Sequence, residues 1–391
     1  MKSLTNILIY STLTLTALIL FSVSESHFQL QNLIVAQKAT LLVLAIASLL
    51  AFKISKRDSA PLLFFVSTTS IALLISIASG ESPDTLLFFT SLTSMSTGLI
   101  FYSSNLPRKL ISRIANVIIA LPIISVFASI ALFPISGKAP WSIEYTGAYR
   151  LTGYLPPAHL AMLCVAAIMI CSFKMSEGTQ KMGYLTLGTL LLILLATGTR
   201  GALIAGITAA IPQIKIPRTL NSLLITFILT IPIGLVGGKA LDNILSRNTQ
   251  QTDYEQINLS GRSTAWAFFL EKSGDAFYFG KGLGAVTKVT KDETQHNLHF
   301  FVTPHNEYLR FLYDIGLVGL LLLITGSVIF YLKIKNKLPE NEKNAFLAIA
   351  LSFAIYSGID NTFGTPQFLI PFFLILKYAR TKRHSYCEQQ A

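Results

Sequence analysis

The side chains best suited to chemistry in this chain are a proton acceptor, a carboxylate and three forked cations, and they lie far apart in the sequence. His305 opens PHNEYLRFLYDIGLVG, and Asp360 closes SFAIYSGID. Arg150, Arg200 and Arg262 sit in GAYRLTGYLPP, LLATGTRGALIAG and NLSGRSTAW. A neutral imidazole can take a proton from a hydroxyl and so act as a general base. Guanidinium groups grip phosphate oxygens through paired, charge-assisted hydrogen bonds. A carboxylate can orient the imidazole or hold an acceptor hydroxyl. Together these groups suit the transfer of a group from a diphosphate to a hydroxyl. Asn306, Arg310 and Lys38 are further candidates for holding substrate.

Other chemistries find less support. His296 and His299 are spaced i,i+3 in HNLH but lack a third ligand, and no D-x-D motif occurs, so no metal and no other cofactor is expected. There is no G-x-S-x-G elbow for Ser-His-Asp hydrolysis. The glycine-rich FGKGLGA lacks the order of a nucleotide P-loop and reads as a turn. Of the three cysteines, Cys164 and Cys171 share one apolar run and Cys387 lies in the tail, which argues against a structural disulfide.

These residues are embedded in an apolar chain. Of 391 residues, 52% are hydrophobic and only 13% are charged, whereas about a quarter are charged in an ordinary soluble domain. The mean hydropathy is +0.58. The apolar runs are continuous and show no period-2 alternation, which favours membrane-spanning helices over a barrel. Twelve spans are predicted, at about 7–23, 33–52, 61–79, 84–103, 114–134, 157–173, 183–199, 201–213, 220–237, 308–331, 344–359 and 366–378. The run 201–213 is short for a bilayer and suggests a tilted or re-entrant piece. The first run lacks a cleavage site and reads as a retained span.

Charge sets the orientation. The net charge is +12, and most lysines and arginines fall in the loops that are internal when the N-terminus is internal. The excess therefore reads as cytoplasmic loops rather than a nucleic-acid surface, with both termini cytoplasmic. One long external loop, 238–304, contains STAWAFFLEK (263–272), a short interfacial helix predicted to be anchored by Trp266, Phe268 and Phe269. This layout puts Arg150, Arg200, Arg262, His305 and Asp360 on one side. Arg200 has no loop to solvate it and is expected to line a polar cavity. Thr303 is the expected cap of the helix after it, with Pro304 at its first position and Glu307 in its first turn. His305 then feels the positive helix end and stays neutral. Arg310 and Asp314 are spaced to pair, and Gly316 and Gly319 to admit a neighbouring helix.

HNEYLRFLYDIGLVG resembles the O-antigen ligase pattern: His-Asn, nine residues, Gly, two residues, Gly. It matches at His305, Asn306, Gly316 and Gly319. TGTRGALIAG, SGRSTAW and YRLTGYLPPAHLA are similar to pieces of the wider ligase and polymerase superfamily, in the same order. The resemblance implies an all-α integral membrane protein with a single polytopic domain and a GT-C-like fold. It also implies a metal-independent, inverting glycosyltransferase. The donor it implies is a glycan on undecaprenyl diphosphate. The acceptor is a hydroxyl of lipid A–core at the periplasmic face of a bacterial inner membrane. A polymerase using the same donor and a lipid-linked glycan flippase are the alternatives.

Overall fold

The computed structural model describes residues 85–137, 139–143, 149–178, 183–213, 262–292 and 304–388, with isolated helical positions at Leu42, Val43, Ile46, Leu50, Pro61, Val66 and Ser70. The spans expected at 7–23 and 220–237, Lys38 and the His296/His299 pair lie outside the described residues. The spans at 33–52 and 61–79 are represented only by those isolated positions. The other expected spans are helical. They form α1 (Thr85–Ser103), α2 (Arg108–Ser136), α3 (Pro157–Ser176), α4 (Gly183–Ala196), α5 (Arg200–Ala210), α8 (Glu307–Lys335), α9 (Glu340–Ser357) and α10 (Pro366–Glu388). Between α5 and α8 lie α6 (Arg262–Lys272) and α7 (Ala285–Asp292).

Local chemistry sets the helix ends. Pro107 precedes α2, and Gly137, at φ 66°, closes it by donating its amide to Phe133 O at 2.9 Å. Prolines at or just before the start of α3, α9 and α10 need no amide partner there. α5 covers only about 16 Å. A 3-10 turn, Ile211–Gln213, extends it, and the Gln213 side chain donates to Ser172 O at 3.0 Å.

α3 is the hub, packed by α2, α4, α5, α9 and α10. Of its apolar window 89% is buried, and Ala161, Cys164, Ala166, Ala167 and Cys171 keep its girth small. α5 and α9 approach through small residues as well. A Cβ on Gly201 would lie 2.6 Å from Ile359, and Ser352 Oγ donates to Ala205 O at 2.6 Å. α8 is the opposite case, with 6% of its apolar window buried and Val318, Leu321, Leu322, Val328 and Ile329 exposed. Among the described residues, α2, α3 and α8 are long and apolar enough to cross a membrane. So much exposed aliphatic surface suits a hydrocarbon surrounding, as expected of a membrane protein.

The structure departs from an all-helical reading at a small hairpin. β1 (Trp141–Ile143) and β2 (Tyr149–Leu151) pair antiparallel, with Ser142 opposite Arg150. Strands this short carry no readable period. The 263–272 helix exists, but two of its three expected anchors turn inward, while Trp266 is half-buried. Phe268 and Phe269 are buried with Ala265, Ala285, Val286, Leu309 and Tyr313 in a second core, where α6 and α7 pack on α8. α7 was not anticipated, because its lysines and threonines hide the alternation of Ala285, Val286 and Val289.

The Gly316–Gly319 expectation also needs correcting. Among the described residues no helix enters there. α8 breaks at Gly316 (φ 69°, ψ 178°), and the 277–282 segment docks into the break. Lys281 N and Gly282 N donate to Tyr313 O and Asp314 O at 2.9 and 2.8 Å. Leu317 N and Val318 N donate to Phe277 O and Tyr278 O at 2.8 and 3.1 Å. The freed helical groups are thus satisfied by loop backbone. A side chain at Gly316 would meet the backbone of Tyr278 and Phe279, and one at Gly280 (φ 78°) would lie 2.5 Å from Gly316 N. Gly316→Ala and Gly280→Ala should each lower the thermal midpoint of the detergent-solubilised protein by roughly 5 °C or more. Gly188→Ala, which meets open space, should leave it nearly unchanged.

Candidate functional site

The end of the bundle where α3, α5, α8 and α10 begin gathers most of the singled-out residues. His305 is not in the first turn of α8, and the expected cap, Thr303, lies outside the described residues. Asn306 is the cap, with its side-chain oxygen accepting from Leu309 N at 3.1 Å. That bond employs the polar end of Asn306 in shaping the helix start. His305 stands one residue before the cap with φ 48°, the only positive φ at a non-glycine among the described residues. Backbone of this kind marks a position held by its surroundings. Trp266 of α6 contributes to that hold by donating Nε1–H to Pro304 O at 2.8 Å.

The imidazole faces the turn after α9. His305 Nδ1 lies 3.2 Å from Asp360 Oδ1 and 3.2 Å from Asn361 Nδ2. Asp360 is buried, and its Oδ1 also accepts from Asn361 N at 2.8 Å, which fixes the carboxylate. Two tautomers fit these contacts: Nδ1–H donating to Asp360 leaves the lone pair on Nε2, whereas the other has Nδ1 accepting from Asn361 Nδ2–H.

The turn itself is tied to the start of α8. Glu307, fully buried, accepts from Phe363 N at 2.8 Å and pairs with Arg310 at 3.0 Å. Phe311 and Phe363 meet edge to face, with ring centroids 5.2 Å apart. This overturns the expected Arg310–Asp314 pair. Asp314 turns away and accepts from Gly284 N and Val286 N, both at 3.1 Å. It thereby caps the glycine turn and the start of α7. Arg310 is nearly buried beside Glu307.

The arginines assemble around another turn. α4 ends at Ala196, and Thr197 to Thr199 lead straight into Arg200, the first residue of α5. Arg150 reaches across from β2 and donates Nε–H to Thr197 O at 2.6 Å and Nη2–H to Thr199 Oγ1 at 2.7 Å. Burial pulls its pKa below the usual guanidinium value. The next residue after Arg200, Gly201, packs on Ile359, the residue before Asp360. A chain of contacts therefore links Arg150, the 197–200 turn, Asp360 and His305. Arg262 opens α6, one turn before Trp266. The sequence places Glu307 only in the first turn of α8 and does not foresee its tie to Phe363. Asn361 and the 197–199 turn escaped the sequence reading, although Asn361 directly follows Asp360. His159, at the start of α3, also escaped it and lies close enough to Asp360 to sense its charge. Among the described residues, no three His, Cys, Asp or Glu side chains come together as a metal-holding group.

Residues 185–324 match the protein-family model described as O-antigen ligase. The match runs from α4 into the apolar part of α8. It takes in Arg200, Arg262, His305, Asn306 and Arg310, while Arg150 and Asp360 lie outside it. No curated protein matches the chain. The buried carboxylate gives a direct test of how this end is built. Glu307→Ala strands Arg310 and frees the Phe363 amide, and breaking such a pair costs about 3–5 kcal/mol. Folded yield and thermal midpoint should both fall sharply, and Glu307→Gln, which can still accept the amide, should recover part of the loss.

Proposed function

We propose, from the match of residues 185–324 to the O-antigen ligase family model, that the chain is a membrane glycosyltransferase of the ligase type. It moves a glycan from undecaprenyl diphosphate to a sugar hydroxyl of lipid A–core. The observation that carries this reading is the Asp360–His305 pair, linked to the Arg150/Arg200 turn at one end of the bundle. His305 Nε2 takes the acceptor's hydroxyl proton while that oxygen attacks the anomeric carbon from the face opposite the diphosphate. The carbon–oxygen bond to phosphate breaks, and undecaprenyl diphosphate leaves with the electron pair. The anomeric centre is inverted. Diphosphate is a good leaving group, so no acid is needed. Arg150, Arg200 and Arg262 serve to stabilise the charge that grows on its oxygens. The remaining features of this reading are a twelve-span GT-C-like fold in an inner membrane, both termini cytoplasmic, and the site open to the periplasm.

The test begins with a deletion strain. Its lipopolysaccharide should lack polymeric glycan, with finished polymer stranded on undecaprenyl diphosphate. Core capped by a single unit would instead mean a polymerase and overturn the ligase assignment. A purified protein that leaves donor and acceptor chemically unchanged would favour a flippase. His305→Asn keeps a residue that tolerates positive φ but removes the base. It should reduce transfer by about 10²–10⁴-fold with folded yield retained. Arg200→Lys should recover only part of what Arg200→Ala loses, because an ammonium cannot fork, as read by initial rates on lipid-linked donor.

A further inference from the structure

The β1–β2 hairpin has two unlike faces. Residues opposite one another in an antiparallel pair share a face, and neighbours along a strand alternate. Ser142 and Arg150 therefore lie on one face, from which Arg150 reaches the 197–199 turn. Trp141, Ile143, Tyr149 and Leu151 share the other. Leu151 is half-buried against the main core, which holds the hairpin down. Trp141, Ile143 and Tyr149 are 46%, 61% and 61% exposed. A hairpin surrounded by water turns its apolar side in and its polar side out. This one exposes two aromatic rings and an isoleucine, and folds its arginine inward.

The preceding helix shows what this face meets. Residues 114–133 of α2 carry no charge, and at 1.5 Å per residue they span about 30 Å, the thickness of a bilayer's hydrocarbon core. With Arg108, Lys109 and Arg113 at one edge, the other edge falls at Phe133. The exposed side chains of Phe127, Ile130 and Phe133 run out to that edge, and the Phe133 ring meets the Trp141 ring with centroids 6.0 Å apart. The apolar face of the hairpin thus continues the hydrocarbon-facing surface of α2. It does so at the depth where Trp and Tyr concentrate, with their rings among acyl chains and their polar atoms among headgroups. A glycan would require hydrogen-bonding side chains beside the rings. Among the described residues this face offers none, since Ser142 and Arg150 lie on the reverse. α8 ends in a similar way: the exposed Tyr278 and Phe279 flank the outer end of its apolar rod, where Val318 N donates to Tyr278 O at 3.1 Å.

We propose that the apolar face of the hairpin is embedded in the membrane interface. Trp141, Ile143 and Tyr149 enter the boundary between headgroups and acyl chains, while the reverse face holds Arg150 against the 197–199 turn at the depth of lipid phosphates. This placement depends on α2 spanning the bilayer and not on the transfer reaction, so the test reads lipid contact rather than activity. The chain has two tryptophans, and Trp266→Phe leaves Trp141 as the single indole. The full-length variant is reconstituted into phosphatidylethanolamine–phosphatidylglycerol vesicles that contain brominated phospholipids. Trp141 emission should be blue-shifted from that of free tryptophan. Bromine near the headgroup end of the acyl chains should quench it more than bromine near the chain ends, which places the indole about 5–10 Å into the boundary. Because Trp266 also bonds Pro304 O, a second variant keeps it. Ile143→Cys with Cys387→Ser, bearing a nitroxide, should be relaxed more by oxygen dissolved in the bilayer than by an aqueous nickel chelate; Cys164 and Cys171 are buried and escape labelling. Quenching by aqueous iodide but by no brominated lipid overturns the proposal and leaves the face to water or a glycan. An indole shielded from both quenchers overturns it equally, by assigning the face to a second copy or to another segment of this chain. Quenching strongest at the chain ends also overturns it.

Discussion

A single buried carboxylate holds the candidate site together. Glu307 sits at the first position of α8 with no exposed surface, and its oxygens are shared between the Phe363 amide and the Arg310 guanidinium. The first contact joins the start of α8 to the turn that presents Asp360. The second neutralises the charge that made the first one costly to bury. This tie acts with the Phe311–Phe363 ring contact and the Tyr308 OH–Ala354 O hydrogen bond to fix the separation of His305 and Asp360. The same carboxylate lies at the positive end of the α8 dipole, where negative charge is favoured. His305 and Asp360 are thus held near one another with the help of a third acid, Glu307.

A second constraint is the thickness of the elements behind the site. α5 reaches α9 because glycine and alanine line its inner face, and that approach sets Gly201 against Ile359. The consequence is positional: Arg200 and Asp360 each stand one residue from this contact. Arg150 is brought in by different means. The β1–β2 hairpin sends its side chain to the 197–199 turn, where a backbone carbonyl and a hydroxyl hold the guanidinium fork. Two unrelated devices, tight helix packing and a small hairpin, therefore supply cations to one neighbourhood.

The helices were legible in the sequence because membrane segments need long apolar runs, and helix ends follow prolines, glycines and charge. The shared side of Arg150, Arg200, His305 and Asp360 followed from counting those runs. What the sequence hid was short or depended on partners. The hairpin strands are too brief to show a period. α7 is masked by its polar residues. Phe268 and Phe269 resemble interfacial anchors in type but are buried, because α7 and α8 provide a core that no local pattern announces. Arg310 has two acids at helical spacing, Glu307 and Asp314, and spacing alone gives no reason to choose between them. The choice follows from the glycine turn, whose amides claim Asp314.

The break at Gly316 has a mechanical consequence. α8 is two rods in series rather than one, and the 277–282 segment splints the joint by backbone hydrogen bonds to both sides, to Tyr313 and Asp314 on the shorter rod and to Leu317 and Val318 on the long apolar one. A change in the angle between the rods must strain these four bonds. The splint therefore couples the apolar rod to the assembly of α6, α7 and the cap beside His305.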